Sequence, residues 1–330
     1  TANAFTWTSS DTGITTVDGN GLVTGIAEGT ATITATEKES GKSSTLAVTV
    51  TSQAEWKEKI VFSPLMYGGI FIVNPDGSGL RQLTEDSGSY DYDGGIGPAL
   101  SSDGHHIAFI RRNWGESEFG IYLMNPDGSD VKCIYSTSEP IGAYLDWSPD
   151  SRKLAFSENY DIYIINSDGS GKQLVTSEGA NPCWSPDGLE IAFVSNRVKE
   201  NGYLDGNLSI VEVNGSNRRL ITAFTEFGLV EKISWSPQNK IAFGPSNATG
   251  NIYLINPDGT GMQQFIAGWS PAFNPDGSSL AYIGDDEISL NYRNLGSTII
   301  YPISNEYYFG SIDWGRIYVS PSWTGDITVQ

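Results

Sequence analysis

The feature that most constrains this sequence is a pair of turns that recurs from about Lys59 to the end of the chain. The first turn joins an aromatic residue to an Ile-Ala-Phe strand, as in Trp184–Gly188 followed by Ile191–Phe193. A second copy is Phe273–Gly277, and degraded copies are Leu100–Gly104, Trp147–Ser151 and Trp235–Asn239. The second turn is Pro-Asp-Gly after a strand of the Ile-Tyr-Leu-Ile-Asn type. Its copies are Ile70–Gly77, Ile121–Gly128, Ile162–Gly169 (with Ser in place of Pro) and Ile252–Gly259, with weaker ones at Leu208–Gly215 and Ile288–Gly296. Four short strands per unit, recurring about every 37–51 residues, are the signature of propeller blades.

These units resemble the TolB-type propeller repeat, a WD-repeat-like family, over nearly all of residues 59–330. Seven segments fit the second strand of a blade, which favours a ring of seven blades. Six blades are the alternative, because the TolB family has six. The seven segments are Lys59–Ser63, His106–Ile110, Lys153–Ser157, Ile191–Ser195, Lys240–Gly244, Leu280–Ile283 and Arg316–Ser320. A ring must close to hide its sheet edges, so we expect the two ends of the repeat region to complete one blade.

The first fifty residues have a different pattern. The segments Trp7–Asp11 and Val17–Thr36 closely resemble the bacterial Ig-like group 2 family, whose domains act as spacers or adhesive modules. The resemblance covers about residues 5–51 and lacks that family's first strands, so the β-sandwich is either truncated or completed by another element. The predicted fold is therefore all-β, with a partial Ig-like domain at 1–53 and a β-propeller at 54–330.

Composition limits the partners. The formal net charge of −20 repels phosphate backbones, which argues against nucleic-acid binding. No apolar stretch approaches the roughly 18–20 residues that a membrane span requires. Residues 1–330 contain no signal peptide, but Thr1 falls inside a domain, so an upstream leader is compatible with the sequence. We expect a monomeric, extracytoplasmic protein at the cell surface, secreted or periplasmic.

Strand direction predicts which face binds. Strands alternate in direction within a blade, so both short turns lie on one face and the longer, variable loops on the other, where recognition usually occurs. These loops contain aromatic residues beside acidic ones, a combination that can stack on sugars or anchor a protein. The predicted ligand-binding residues are Tyr90, Asp91, Tyr92, Asp93, Trp114, Tyr144, Tyr203, Phe227, Trp269, Tyr307 and Tyr308.

Catalytic and metal-binding patterns are sparse. The two histidines, His105 and His106, are adjacent and point to opposite sides of a strand, so they cannot bind one metal together. No Gly-x-Ser-x-Gly nucleophile motif occurs. A carboxylate pair for glycoside hydrolysis could come from Asp91, Asp93, Glu139, Glu226, Glu231 and Glu306. We expect no cofactor and no metal site, with calcium at Asp91–Asp93 as a minor alternative. Cys133 and Cys183 are predicted to be free thiols.

The leading hypothesis is a non-enzymatic binding or scaffold protein that recognises a protein or glycan at the cell envelope. The resemblance implies a specific model, because TolB binds a peptidoglycan-associated lipoprotein at the periplasmic side of the outer membrane. This chain has an Ig-like segment where TolB has a small α/β domain, so the resemblance to TolB applies only to the propeller. The alternatives are a polysaccharide-active lyase or carboxylate-based glycosidase, and a purely structural surface-layer or adhesin segment.

Overall fold

The computed structural model consists, in its described part, of β-strands joined by turns. It describes residues 5–27, 29–51, 55–64, 69–85, 95–113, 118–198, 204–222, 230–245, 250–284, 287–292, 296–302, 309–319 and 326–329. The first fifteen strands are β1 (Phe5–Ser9), β2 (Thr15–Val17), β3 (Val23–Gly25), β4 (Gly29–Glu37), β5 (Ser43–Thr51), β6 (Glu55–Pro64), β7 (Phe71–Val73), β8 (Arg81–Gln82), β9 (Ile96–Leu100), β10 (Ile107–Asn113), β11 (Glu118–Met124), β12 (Lys132–Thr137), β13 (Ile141–Trp147), β14 (Lys153–Glu158) and β15 (Asp161–Asn166). The others are β16 (Gln173–Thr176), β17 (Gly179–Trp184), β18 (Glu190–Val198), β19 (Leu204–Glu212), β20 (Arg219–Thr222), β21 (Val230–Trp235), β22 (Ile241–Pro245), β23 (Asn251–Ile255), β24 (Gln263–Ala267), β25 (Trp269–Phe273), β26 (Ser279–Ile283), β27 (Glu287–Tyr292), β28 (Gly296–Pro302), β29 (Phe309–Val319) and β30 (Asp326–Val329).

Contacts divide the chain into a smaller unit, residues 1–57 with 318–330, and a larger unit, residues 58–317. The smaller unit contains a four-stranded sheet in the order β1-β4-β5-β30 and the hairpin β2-β3. Strand β30 pairs antiparallel with β5, from Asp326 opposite Thr51 to Val329 opposite Val48. The sequence left open whether the Ig-like sandwich is truncated or is completed by another element. In this sheet another element, β30, pairs with the Ig-like strand β5.

The larger unit contains six four-stranded sheets among the described residues. In chain order they are blade 1 (β29-β6-β7-β8), blade 2 (β9–β12), blade 3 (β13–β16), blade 4 (β17–β20), blade 5 (β21–β24) and blade 6 (β25–β28). Blade 1 joins the two ends of the repeat region, as the closure argument predicts. The all-β propeller is confirmed. Its described part has six blades, which was the alternative, and not the favoured seven. The segment Arg316–Ser320, counted as a seventh second strand, overlaps the end of β29, which is the first strand of blade 1.

The hydrophobic core is divided among the seams between blades. Six clusters of buried side chains each combine residues of two neighbouring blades, and together they cover every seam of the ring. The Ile-Ala-Phe motif explains how one strand serves two seams. Ile191 and Phe193 pack toward blade 3, whereas Ala192 packs toward blade 5. Successive side chains of a strand point to opposite faces, so one blade contributes to both of its neighbours.

The short turns have the structure that their sequence predicts. In the Pro-Asp-Gly turn, the Gly77 N–H donates to the carbonyl of Asn74 at 2.9 Å, and Gly77 has a φ of 79°. The Asp76 carboxylate accepts hydrogen bonds from the backbone N–H and the hydroxyl of Ser78, at 2.9 and 2.6 Å. These bonds lower the pKa of Asp76, and those of Asp127, Asp168 and Asp258 fall for the same reason. Their role is thus to hold the turn.

Candidate functional site

The six first strands surround one cavity of about 440 Å³, which we call the funnel. Each contributes to its wall, and residues of the first turns, such as Ser102 and Pro186, line it as well. The funnel therefore lies toward the short-turn end of the ring. Its wall includes the side chains of Tyr144, Asp146 and Asp313.

The residue just before the aromatic position joins neighbouring blades at three of the six seams. Oδ2 of Asp313 accepts the Leu100 N–H at 2.8 Å, and Oδ2 of Asp146 accepts the Trp184 N–H at 2.7 Å. The Ser234 hydroxyl oxygen accepts the Phe273 N–H at 3.0 Å. We call these three contacts the seam latches. A first strand has a ladder partner on one side only, so a backbone N–H on its inner side needs such an acceptor.

The strands that donate these N–H groups share a backbone feature. Three residues before each donor, the chain adopts a left-handed conformation, with φ of 61° at Gly97, 53° at Asn181 and 52° at Ser270. The position before the aromatic on these strands is Ala99, Cys183 or Ala272. First strands that supply a latch acceptor (blades 1, 3 and 5) therefore alternate around the ring with first strands that contain a left-handed residue (blades 2, 4 and 6). The six similar blades thus have an approximate threefold pattern.

Three charged groups of the funnel act on one another. Lys232 lies 3.4 Å from Oδ1 of Asp313 and also donates to the carbonyl of Ile312. Burial, together with the negative charge of Asp313, raises the pKa of Asp146 to about 7 against the lowering effects of the Trp184 N–H and Lys232. Asp146 keeps part of its surface accessible, but it lines the cavity inside the ring, so the solvent it meets is confined. Two carboxyl groups and one ammonium therefore share this wall.

The structure describes the side chains of two of the eleven predicted ligand-binding residues. Tyr144 lines the funnel, while Trp269 is partly buried against the core at the seam of blades 1 and 6. The other nine lie outside the described residues and stay predictions: Tyr90, Asp91, Tyr92, Asp93, Trp114, Tyr203, Phe227, Tyr307 and Tyr308. The charged residues Asp146, Lys232 and Asp313 were not predicted. A signal for two of them existed, since Leu145-Asp146-Trp147 and Ile312-Asp313-Trp314 place a carboxylate in an otherwise apolar first strand.

The candidates for other chemistry are placed as follows. Among the carboxylates considered for glycoside hydrolysis, Glu139 is exposed, and the side chains of the others lie outside the description: Asp91, Asp93, Glu226, Glu231 and Glu306. His106 lies beside Trp147, with 6.3 Å between the ring centroids. Within the described ranges, no group of three or more histidine, cysteine, aspartate or glutamate residues could hold a metal ion.

Both cysteines are free thiols, Cys133 exposed and Cys183 buried in the funnel wall. Burial raises the pKa of the Cys183 thiol well above its usual value, with Asp146 adding to the effect. Because the thiolate is the reactive form, we expect alkylation of the native protein to label Cys133 alone and alkylation in denaturant to label both. Intact-mass measurement reads the number of labels. Equal labelling rates in the native protein would contradict the buried position of Cys183.

Sequence comparisons find two families within the chain. Residues 1–54 match the bacterial Ig-like domain (group 2), and residues 101–183 match the dipeptidyl peptidase IV N-terminal region. A TolB homolog of Chlorobium luteolum is 29% identical over 197 residues, which is 56% of this chain and 41% of that protein. The Tol-Pal system protein TolB of Alcanivorax borkumensis is 33% identical over 100 residues, 28% of this chain and 23% of the relative. The chain thus spans less than half the length of these relatives.

Structure comparison agrees on the fold. TolB from Acinetobacter baumannii superposes with a TM-score of 0.60 at 16% identity, covering 88% of this chain and 80% of TolB. The larger unit is a TolB-like β-propeller. It follows the Ig-like region, as the sequence resemblance predicts. A chain of a nidogen/laminin complex has a similar fold, with a TM-score of 0.63 at 10% identity over 78% of this chain and 98% of that one. In the described part of the TolB-like chain, no helix is long and apolar enough to cross a membrane.

Proposed function

We propose that this TolB-like chain is a non-enzymatic, extracytoplasmic binding protein that captures a segment of a protein partner in the funnel. The observation that carries the proposal is the funnel wall, where two carboxyl groups and one ammonium lie among aromatic and proline side chains. Ligand sites are typically concave, mostly apolar and supplied with a few convergent polar groups. The similarity to Tol-Pal system proteins supports a protein partner at the cell envelope.

The charge of the funnel suggests the chemistry of that segment. Lys232 compensates Asp313 at 3.4 Å, whereas no ion pair joins Asp146 to a described lysine or arginine. A lysine or arginine side chain of the partner would supply the missing cation, and the overall charge of −20 favours approach of a basic partner. Tyr144 and the exposed rings of Pro149 and Pro186 offer apolar surface for the rest of the segment.

The long-loop face remains a second proposed contact surface for a protein or glycan, supported by the aromatic and acidic composition of its loops. The Ig-like region would act as a spacer or attachment module, as the resemblance implies. Neither the lyase and glycosidase alternative nor the purely structural one has a specific observation in its favour among the described residues.

Blocking the funnel tests the proposal. Ser102 is exposed and lines the funnel, so Ser102→Trp should fill its mouth without disturbing the core. We expect this variant to lose more than tenfold in partner capture from an envelope extract, measured by crosslinking and quantitative mass spectrometry. Leu189→Trp is the matched control, because Leu189 is 66% exposed and lies outside the funnel wall.

Capture that is equal in both tryptophan variants would exclude the funnel as the binding site. If Trp114→Ala combined with Tyr307→Ala abolished that capture instead, binding would belong to the long-loop face. Turnover of any member of a glycan panel would contradict the non-enzymatic assignment.

A further inference from the structure

Asp146 differs from the other two residues that form seam latches. Ser234 is uncharged, and Asp313 lies beside the Lys232 ammonium. Asp146 makes the same contact with the next blade but has no cation of its own among the described residues. A charge that is removed from water without an opposite charge beside it is costly, and a group in this position commonly takes up a proton instead.

The neighbours of Asp146 come from several strands. Strand β17 presents the Trp184 N–H and the Cys183 thiol, β29 presents Asp313, and β21 presents Lys232. On the other side, β9 contacts β13 and contains no titratable residue. Burial and the charge of Asp313 favour the protonated acid, and together they outweigh the N–H and ammonium groups, so the pKa of Asp146 rises to about 7.

We propose that Asp146 makes the funnel responsive to protons, because its ionisation adds a negative charge to the funnel wall at the seam of blades 3 and 4, where it has no ion pair among the described residues. The hydrogen bond from the Trp184 N–H persists in both states. The two states differ in electrostatic free energy, because the ionised carboxylate is desolvated and is repelled by Asp313. The folded ring is therefore less stable with Asp146 ionised. Tighter capture of cationic segments above neutral pH would follow, and that consequence alone rests on the proposed binding function.

The direction of the stability change follows from linkage. The pKa of Asp146 is higher in the folded chain than its ordinary value of 3.8, so the folded chain holds this proton more tightly than the unfolded chain. The contribution of protonated Asp146 to the free energy of unfolding is complete below about pH 4 and is lost as the pH rises through 7. The turn aspartates, such as Asp168, have lowered pKa values and have finished titrating by pH 5. The interval from pH 5.5 to 8.5 therefore isolates Asp146 from them.

Thermal unfolding of the full chain across this interval tests the proposal. We expect the Tm of the wild type to fall by about 4–8 °C between pH 5.5 and 8.5. Asp146→Asn keeps an acceptor for the Trp184 N–H and cannot ionise, so its Tm should be nearly constant and should exceed that of the wild type at pH 8.5. Asp168→Asn, in an exposed turn, is the control and should follow the wild-type slope.

Infrared spectroscopy provides a measurement that does not depend on the variant folding. The wild type should show the carbonyl stretch of a protonated carboxylic acid at pH 6 and lose it by pH 8.5. Absence of that band at pH 6, or parallel slopes of the wild type and Asp146→Asn, would overturn the proposal. Neither measurement uses a partner, so failure here would leave the Ser102→Trp experiment to decide the binding function on its own.

Discussion

Replacing Gly97 by alanine is expected to destabilise the propeller by about 2–4 kcal/mol. Gly97 has a φ of 61°, a left-handed conformation that costs an L-residue roughly 1 kcal/mol or more. An added Cβ would also lie well inside 3.0 Å of the Ala143 carbonyl oxygen, which belongs to the backbone of the next blade. A backbone oxygen cannot rotate away as a side chain can, so the two blades would have to separate slightly at the funnel wall.

Gly188→Ala is the matched control for that prediction. Gly188 is also left-handed, with a φ of 72°, but the nearest atom to an added Cβ is Cδ of Pro149 at 3.6 Å. Only the conformational cost remains, so we expect a loss of about 1 kcal/mol. Guanidinium unfolding of both variants measures the difference. Equal losses in the free energy of unfolding would show that the close contact between blades 2 and 3 at Gly97 adds nothing to the cost of the substitution.

The architecture could be predicted because its determinants are local. The Asp-Gly turns impose their own geometry, and the Ile-Ala-Phe motif specifies a strand with large side chains on one face and a small one on the other. Phe109, Phe156, Phe193 and Phe243 occupy the same place in four blades, and each has an exposed fraction of 0%. A repeat of this kind fixes the shape of a unit and the way it meets its neighbours.

The number of blades depends on a pairing between distant segments, which local pattern does not encode. First and second strands are both short and apolar, so Arg316–Ser320 could not be distinguished from a second strand. Its assignment follows from the order β29-β6-β7-β8, in which the two ends of the repeat region meet. The Ser63 and Ser311 hydroxyl groups lie 2.9 Å apart within that blade.

The charged wall of the funnel was missed for a related reason. Asp146, Lys232 and Asp313 come from three different blades, and none belongs to a turn motif. Their proximity arises only when the ring closes, because closure brings β29 opposite β13 and β21 across the cavity. In the sequence, the aromatic residues concentrated in the long loops are a stronger signal of binding than single charged residues inside apolar strands.

Lys232→Met should be among the most destabilising single substitutions in the funnel at pH 8, with a loss of about 2–4 kcal/mol. The Lys232 side chain is 12% exposed and that of Asp313 is 23% exposed, so the pair is shielded from bulk solvent. Removal of the ammonium leaves Asp146 and Asp313 facing each other with no cation among the described groups. Breaking a buried pair costs more than forming it gains, because the remaining charge stays desolvated.

The pH dependence and two further variants make the Lys232 prediction specific. The loss should shrink as the pH falls from 8 to 5.5, because protonation of one carboxyl removes the repulsion between the two. Lys232→Met combined with Asp313→Asn should recover much of the stability at pH 8, since asparagine retains an acceptor for the Leu100 N–H. Arg219→Met removes a pair with Glu190 that is more exposed than the Lys232–Asp313 pair, at 40% and 25%, and should cost less than about 1 kcal/mol. A Lys232→Met loss as small as that of Arg219→Met, or one independent of pH, would mean that water in the funnel already screens the two carboxylates.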